Sequence, residues 1–223
     1  LDNTLPVTID EVLYHTKCVA RARVAPLLIA DMPYGAFHLG PRATVKAALR
    51  LVKEGGAEAV KLEGGRKRLD AVRALLDAEI PVMGHLGLTP QSVHVMGGFK
   101  VQGRKPDAAA QLLEDASLLA EAGVFSIVLE GMPSDLAAEV TRQLPVPTIG
   151  IGAGAGCSGQ VLVFHDLLGL LGNDQPTFVR RYLAGAELMT EAVRQFAEDV
   201  RGGRFPAETE TYGARKVATG VAT

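Results

Sequence analysis

Short apolar runs recur along the chain, each followed by a polar or glycine-containing turn and then by a stretch with helical spacing. Residues 27–31 are one such run, and near-continuous apolar character is what a strand covered on both faces requires. Residues 42–54 predict a helix, because Val45, Ala48, Leu49 and Val52 fall on one face at the i, i+3, i+4, i+7 spacing. Gly55 and Gly56 supply its stop. The same alternation gives a strand at 59–63, a helix at 68–78 with Val72, Leu75 and Leu76 inward, and a strand opening at 81–85. Thr89 and Pro90 then read as an N-cap followed by proline at the first helical position. A glycine-containing insert at 97–104 leads into a helix over 107–122 that Gly123 ends. A strand at 125–130, a helix at 134–143 and strands at 148–152 and 161–165 follow. A last long helix is predicted over 177–201, where Phe178, Tyr182, Leu183, Met189, Val193 and Phe196 share helical spacing, and residues after Phe205 read as a tail.

Six strands alternating with helices imply a parallel sheet, because parallel neighbours need such crossovers and the crossovers are right-handed. A doubly wound open sheet and a (β/α)8 TIM barrel both satisfy the pattern. No compositional break marks a linker, so residues 1–223 read as a single α/β domain. The polar residues separate the two folds. Asp31, Lys61, Glu63, His85, Glu130 and His165 all fall at or near the C-terminal ends of predicted strands. A barrel gathers those ends around one mouth, where its active site lies, whereas an open sheet scatters several of them.

Each of these residues also has a plain structural reading. Asp31, before Met32 and Pro33, suits a turn residue accepting backbone N–H bonds. Lys61 and Glu63, two apart on a strand, suit a structural ion pair. A lone His85 suits a core histidine tied to a carbonyl, and His165 with Asp166 suits a helix cap. Glu130 ends an apolar strand, where an unpaired carboxylate is costly, so its functional reading is the stronger one. Gly150, Gly152 and Gly154 form only a weak phosphate-loop signal, because neither the dinucleotide spacing nor a P-loop lysine accompanies them. Taken together the residues say more: carboxylates suit a hard cation such as Mg²⁺, a nearby lysine suits an anionic substrate, and a separate carboxylate suits proton abstraction.

Composition narrows the partners. The formal net charge is −2 and charged residues make up 22% with balanced signs, so nothing points to nucleic acid. No apolar run approaches a bilayer span, so no membrane partner is expected. Cys18 and Cys157 are far apart and belong to no paired motif, which favours a reducing compartment.

Several longer runs carry a family resemblance. Ala30-Asp31-Met32-Pro33-Tyr34, Val60-Lys61-Leu62-Glu63-Gly64-Gly65, Gly84-His85-Leu86-Gly87-Leu88-Thr89-Pro90-Gln91-Ser92-Val93, Gly97-Gly98-Phe99-Lys100-Val101-Gln102-Gly103-Arg104 and Gly150-Ile151-Gly152-Ala153-Gly154 stand in the order and spacing of the ketopantoate hydroxymethyltransferase family. Thr4-Leu5-Pro6-Val7-Thr8 and Phe205-Pro206-Ala207-Glu208 fit as well, so the resemblance covers nearly the whole chain. It implies a (β/α)8 barrel of the phosphoenolpyruvate mutase and isocitrate lyase superfamily and a cytoplasmic homo-oligomer, often a decamer. It also implies transfer of a one-carbon unit from 5,10-methylenetetrahydrofolate to the 2-oxo acid 3-methyl-2-oxobutanoate, giving 2-dehydropantoate for pantothenate biosynthesis.

By position, the resemblance makes Asp31 a metal ligand that also meets substrate, Glu63 the outer carboxylate that orders metal-bound water, Lys61 and His85 substrate contacts, and Glu130 the general base. Mg²⁺ is the implied metal, with other divalent ions acceptable to carboxylates. The family also carries an N-terminal segment that forms the first two barrel strands and ends in a Gly-Asp-Ser motif with the other direct metal ligand. Residues 1–26 hold no replacement, so the expectation is that this segment exists in the protein beyond the sequence at hand. The rival is a truncated chain with weak metal affinity. A superfamily lyase or mutase on a related 2-oxo acid is the other alternative, although its usual cysteine loop is not evident.

Overall fold

The computed structural model describes residues 3–22, 25–171 and 175–213. Two compact units divide the chain, residues 1–161 and 162–223.

The first unit opens with helix α1 (Ile9–Ala22), which the hydrophobic pattern had not singled out. Its start is a capping box. The Glu11 carboxylate accepts from both the backbone N–H and the hydroxyl of Thr8, and the Glu11 N–H donates to Thr8 Oγ1 at 3.2 Å. The sheet follows as β1 (Ile29–Asp31), β2 (Ala59–Lys61), β3 (Val82–Gly87), β4 (Ser126–Glu130), β5 (Thr148–Ile151) and β6 (Gly159–Gln160). Between them run α2 (Pro41–Lys53), α3 (Leu69–Asp77), a one-turn α4 (Val93–Met96), α5 (Pro106–Ala122) and α6 (Ser134–Gln143). Every strand pair is parallel, and the strand order follows the chain order from β1 to β6. A doubly wound sheet would reverse its strand order part-way. The uninterrupted order has no such reversal.

Both faces of this sheet are apolar, for different reasons. On one face Ala30, Val60, Leu62, Val82, Ile127 and Leu129 pack against Leu13, Leu51, Val72, Leu75, Leu119 and Val140 from the helices. Each such fully buried Leu, Ile or Val stabilises the fold by about 1.5–3 kcal/mol. On the other face Met83, Val128 and Ile151 form a smaller cluster with Ile29, Phe125 and Ile149 against it. Strand side chains alternate between faces. Two residues beyond Ile29, Met83 and Val128 on this second face come Asp31, His85 and Glu130. Register aligns Asp31 with Lys61 and Gly87 with Glu130. The polar strand ends therefore crown an apolar inner stripe.

Three expectations change. The helix over 42–54 is present, but its buried stripe runs through Thr44, Ala48 and Leu51, and Leu49 is exposed. The sixth strand is not residues 161–165 but the two residues Gly159–Gln160, and Phe164–Leu167 is a short helix, α7, in the second unit. Val161, Val163 and Phe164 are exposed, so this apolar run lacks the two-sided cover that a central strand needs. The last helix starts at Gly185 rather than 177, as α8 (Gly185–Arg201). The backbone N–H groups of Tyr182, Gly185 and Ala186 donate to the carbonyls of Leu167, Leu168 and Gly169, which holds 182–184 against the end of α7 outside the helix.

Candidate active site

Lys61 is the hub of the strand-end cluster. Its ammonium lies 2.7 Å from Asp31 Oδ2 and 3.1 Å from His85 Nδ1. An ammonium can only donate, so Nδ1 of His85 accepts and the ring proton sits on Nε2. That Nε2 lies 3.2 Å from Glu130 Oε2, yet it completes no well-directed hydrogen bond. The His85 side chain is fully buried, and burial together with the Lys61 charge pushes its pKa down, against the pull of Glu130 and Asp31. The imidazole is neutral at pH 7 and keeps one unused N–H donor beside a carboxylate.

Exposure grades across the cluster. The Asp31 side chain is 53% exposed, Lys61 and Glu130 are 16% exposed each, and His85 is sealed beneath them. Glu63 lies two residues past the end of β2 and is buried; its Oε2 accepts the backbone N–H of Gln91 at 2.9 Å. Desolvation raises its pKa to about 7, opposed by the Lys61 charge and the Gln91 N–H and helped by Asp31 and Glu130. The predicted Lys61–Glu63 ion pair is replaced by Lys61–Asp31 across the β1–β2 register.

The loops that follow the strands extend the ladder and fix the mouth. Met32, Leu62 and Gly64 donate their N–H groups to Lys61, Met83 and His85 carbonyls, and Leu88 donates to the carbonyl of Glu130 at 2.7 Å. Gly87 makes that last approach possible. It sits at φ +92°, and a Cβ there would lie 2.1 Å from the Glu130 carbonyl oxygen. Beyond it, Pro90–Ser92 forms a single 3-10 turn. Thr89 stands at its N-cap position without capping it, its hydroxyl facing Met96 Sδ at 3.9 Å instead. The turn buries Gln91, whose Nε2 donates to the Met32 carbonyl at 2.9 Å.

Of the six strand-end residues, five meet here: Asp31, Lys61, Glu63, His85 and Glu130. His165 does not sit at a strand end; it lies in α7, its ring edge-on to Phe164. Gln91 is the residue that the residue-by-residue reading passed over. Its only sequence signal is its place after a Thr-Pro turn.

Among the described residues, no three His, Cys, Asp or Glu side chains gather closely enough to enclose a metal ion by themselves. Mg²⁺ rarely asks for that, being held by one or two carboxylates with the remaining positions left to water and substrate oxygens. A half-exposed Asp31 with a buried Glu63 behind it fits such a partial cradle.

The sequence pattern of the ketopantoate hydroxymethyltransferase family matches residues 1–208. The chain belongs to this family. The 3-methyl-2-oxobutanoate hydroxymethyltransferase 2 of Bradyrhizobium diazoefficiens is 58% identical over 211 residues, which are 95% of this chain and 72% of the relative. The enzyme of that name from Koribacter versatilis is 55% identical over 217 residues, 97% of this chain and 74% of the relative. The Clostridioides difficile enzyme is 49% identical over 211 residues, 95% and 77%. Among solved structures, 2,3-dimethylmalate lyase, a PEP mutase/isocitrate lyase superfamily member, aligns with TM-score 0.52 at 14% identity over 93% of this chain and 72% of that one. Phosphonopyruvate hydrolase in complex with oxalate and Mg²⁺ aligns with TM-score 0.52 at 14% identity, covering 93% and 74%. At such identity the likeness is one of fold alone: this ketopantoate hydroxymethyltransferase family member shares the parallel α/β architecture of these two proteins.

Proposed function

We propose that the protein transfers a hydroxymethyl group from 5,10-methylenetetrahydrofolate to 3-methyl-2-oxobutanoate, giving 2-dehydropantoate, on a (β/α)8 barrel completed by the family's first two strands. The observation that carries this reading is the meeting of Asp31, Lys61, His85 and Glu130 at the strand ends in a chain of this family.

Glu130 is the general base. Its carboxylate is only 16% exposed and ends β4, within reach of a substrate held over the mouth. It takes the proton from C3 of the ketoacid, and the carbon nucleophile left there forms the new C–C bond with the methylene carbon of the folate. The methylene's bonds to folate nitrogen break, and water supplies the hydroxyl oxygen. Lys61 holds its positive charge beside the substrate's carboxylate and keto oxygens, where fixed charge favours the transition state more than mobile water would. His85 stands beneath Lys61 and Glu130, its Nε2 3.2 Å from Glu130 Oε2, and completes the group that meets the substrate. Asp31 would hold Mg²⁺ and Glu63 would order its water. When bound, the metal supplies Lewis-acid polarisation of the keto oxygen. The family's homo-oligomeric, cytoplasmic character is part of the same reading; among the described residues no helix is long and apolar enough to cross a membrane.

Proton-to-deuterium exchange at C3 of 3-methyl-2-oxobutanoate, followed by NMR with and without Mg²⁺ and then with methylenetetrahydrofolate, tests this. Metal-dependent exchange followed by product is the expected result. Exchange without product indicates a superfamily lyase or mutase, and neither indicates a chain that binds without catalysing.

A further inference from the structure

Gln91 stands behind the cluster and touches both of its metal-directed acids through their own segments. The local sequence puts it there. Gly87 bends the chain at the end of β3, and Pro90 opens a one-turn 3-10 helix at a position where its missing N–H costs nothing. The turn carries Gln91 inward to 9% exposure. From there its backbone N–H donates to Glu63 Oε2, and its side-chain Nε2 donates to the carbonyl of Met32, both at 2.9 Å. Met32 is the residue after Asp31, is itself fully buried, and donates its own N–H to the carbonyl of Lys61. One residue from the β3 loop thus ties the carboxylate of Glu63 to the Met32–Pro33 peptide, in the segment that leaves Asp31.

Packing does not explain this choice. A buried amide must be satisfied to be tolerated, and the Gln91 Oε1 is buried without a partner. A leucine or methionine would fill the same space without that penalty. The geometry points to Gln91 as a positioning residue for the divalent cation: its side-chain amide holds the segment that follows Asp31, and its backbone N–H holds Glu63, so it acts through those two acids rather than on the reacting atoms. This rests on the reading of Asp31 and Glu63 as the metal-directed pair.

The test uses Gln91→Met, which keeps the volume and the backbone N–H but removes the side-chain donor, with Gln91→Leu beside it. Mn²⁺ is the probe, its free concentration followed by electron paramagnetic resonance, alongside thermal melting and the kcat and KM for 3-methyl-2-oxobutanoate. Partners that orient metal ligands typically matter by about 10- to 100-fold in affinity or activity. The expected result is a melting temperature close to that of the unaltered protein with Mn²⁺ binding weakened at least about tenfold. Unchanged Mn²⁺ affinity in a folded variant overturns the role of Gln91. If the unaltered protein itself takes up no Mn²⁺, the reading of the acids fails instead, and the proposal for Gln91 falls with it. Should neither variant fold, the Gln91 side-chain amide resonances of the unaltered protein decide. They shift on Mg²⁺ addition if Gln91 serves the site, and stationary resonances overturn the proposal.

Discussion

Replacing Glu63 by glutamine should make the metal-free protein more stable and the enzyme worse. Glu63 is a buried carboxylate whose pKa is raised from 4.5 to about 7, first by desolvation. In the folded protein the carboxyl keeps its proton up to about pH 7, and in the unfolded chain only up to about 4.5. Between those values the folded state binds more protons, so stability falls as pH rises through the window and the penalty is complete above it. At about 1.4 kcal/mol per pH unit, the shift sets a ceiling of about 3 kcal/mol on what an isosteric neutral group can restore. Glutamine keeps an oxygen to accept the Gln91 N–H but loses the attraction to Lys61, which trims the gain to about 1–2 kcal/mol. Urea unfolding in the presence of a chelator, at pH 8 and pH 5, reads this directly. The expected gain appears at pH 8 and is much smaller at pH 5, while turnover with Mg²⁺ drops. A Glu63→Gln protein destabilised equally at both pH values would refute the claim that burial strains this carboxylate.

Two further substitutions probe the same mouth. Lys61→Met removes the cation shared by Asp31 and His85, and is expected to lower kcat/KM by at least about 100-fold, with a loss comparable to that of an electrostatic stabiliser; steady-state kinetics with 3-methyl-2-oxobutanoate as the varied substrate checks it. Gly87→Ala forces a Cβ against the Glu130 carbonyl and a positive φ on a residue that resists it, so a loss of roughly 2–4 kcal/mol in urea unfolding and a displaced Glu130 with reduced turnover are expected.

The strands and their polar ends were legible because each apolar run is short, bounded, and closed by a residue that does not belong in a core. Asp31 and Glu130 each end a described strand, and His85 lies two residues before the end of its own. The same logic failed at 161–165, where an equally apolar run is left exposed and leads into α7. Apolar character reports burial, and burial by neighbours on both sides is a tertiary fact. Helix α1 could have been found, since Thr8 and Glu11 spell its capping box, but only Leu13 and Thr16 along it are buried. The cluster's internal wiring was the least legible part. That Lys61 turns to Asp31 rather than to Glu63 depends on the β1–β2 register, and that Gln91 reaches the carbonyl of Met32 depends on a contact 59 positions away in sequence.

Proton removal from C3 of the ketoacid is the step proposed for Glu130 at the strand-end cluster. Deuterium exchange at C3 in a Glu130→Gln protein, with Mg²⁺ present and with folding and Mn²⁺ binding verified, tests it most directly. Exchange slowed by about 10²- to 10⁴-fold, the range general-base catalysis supplies, is the expected result. Exchange at the rate of the unaltered protein would contradict it.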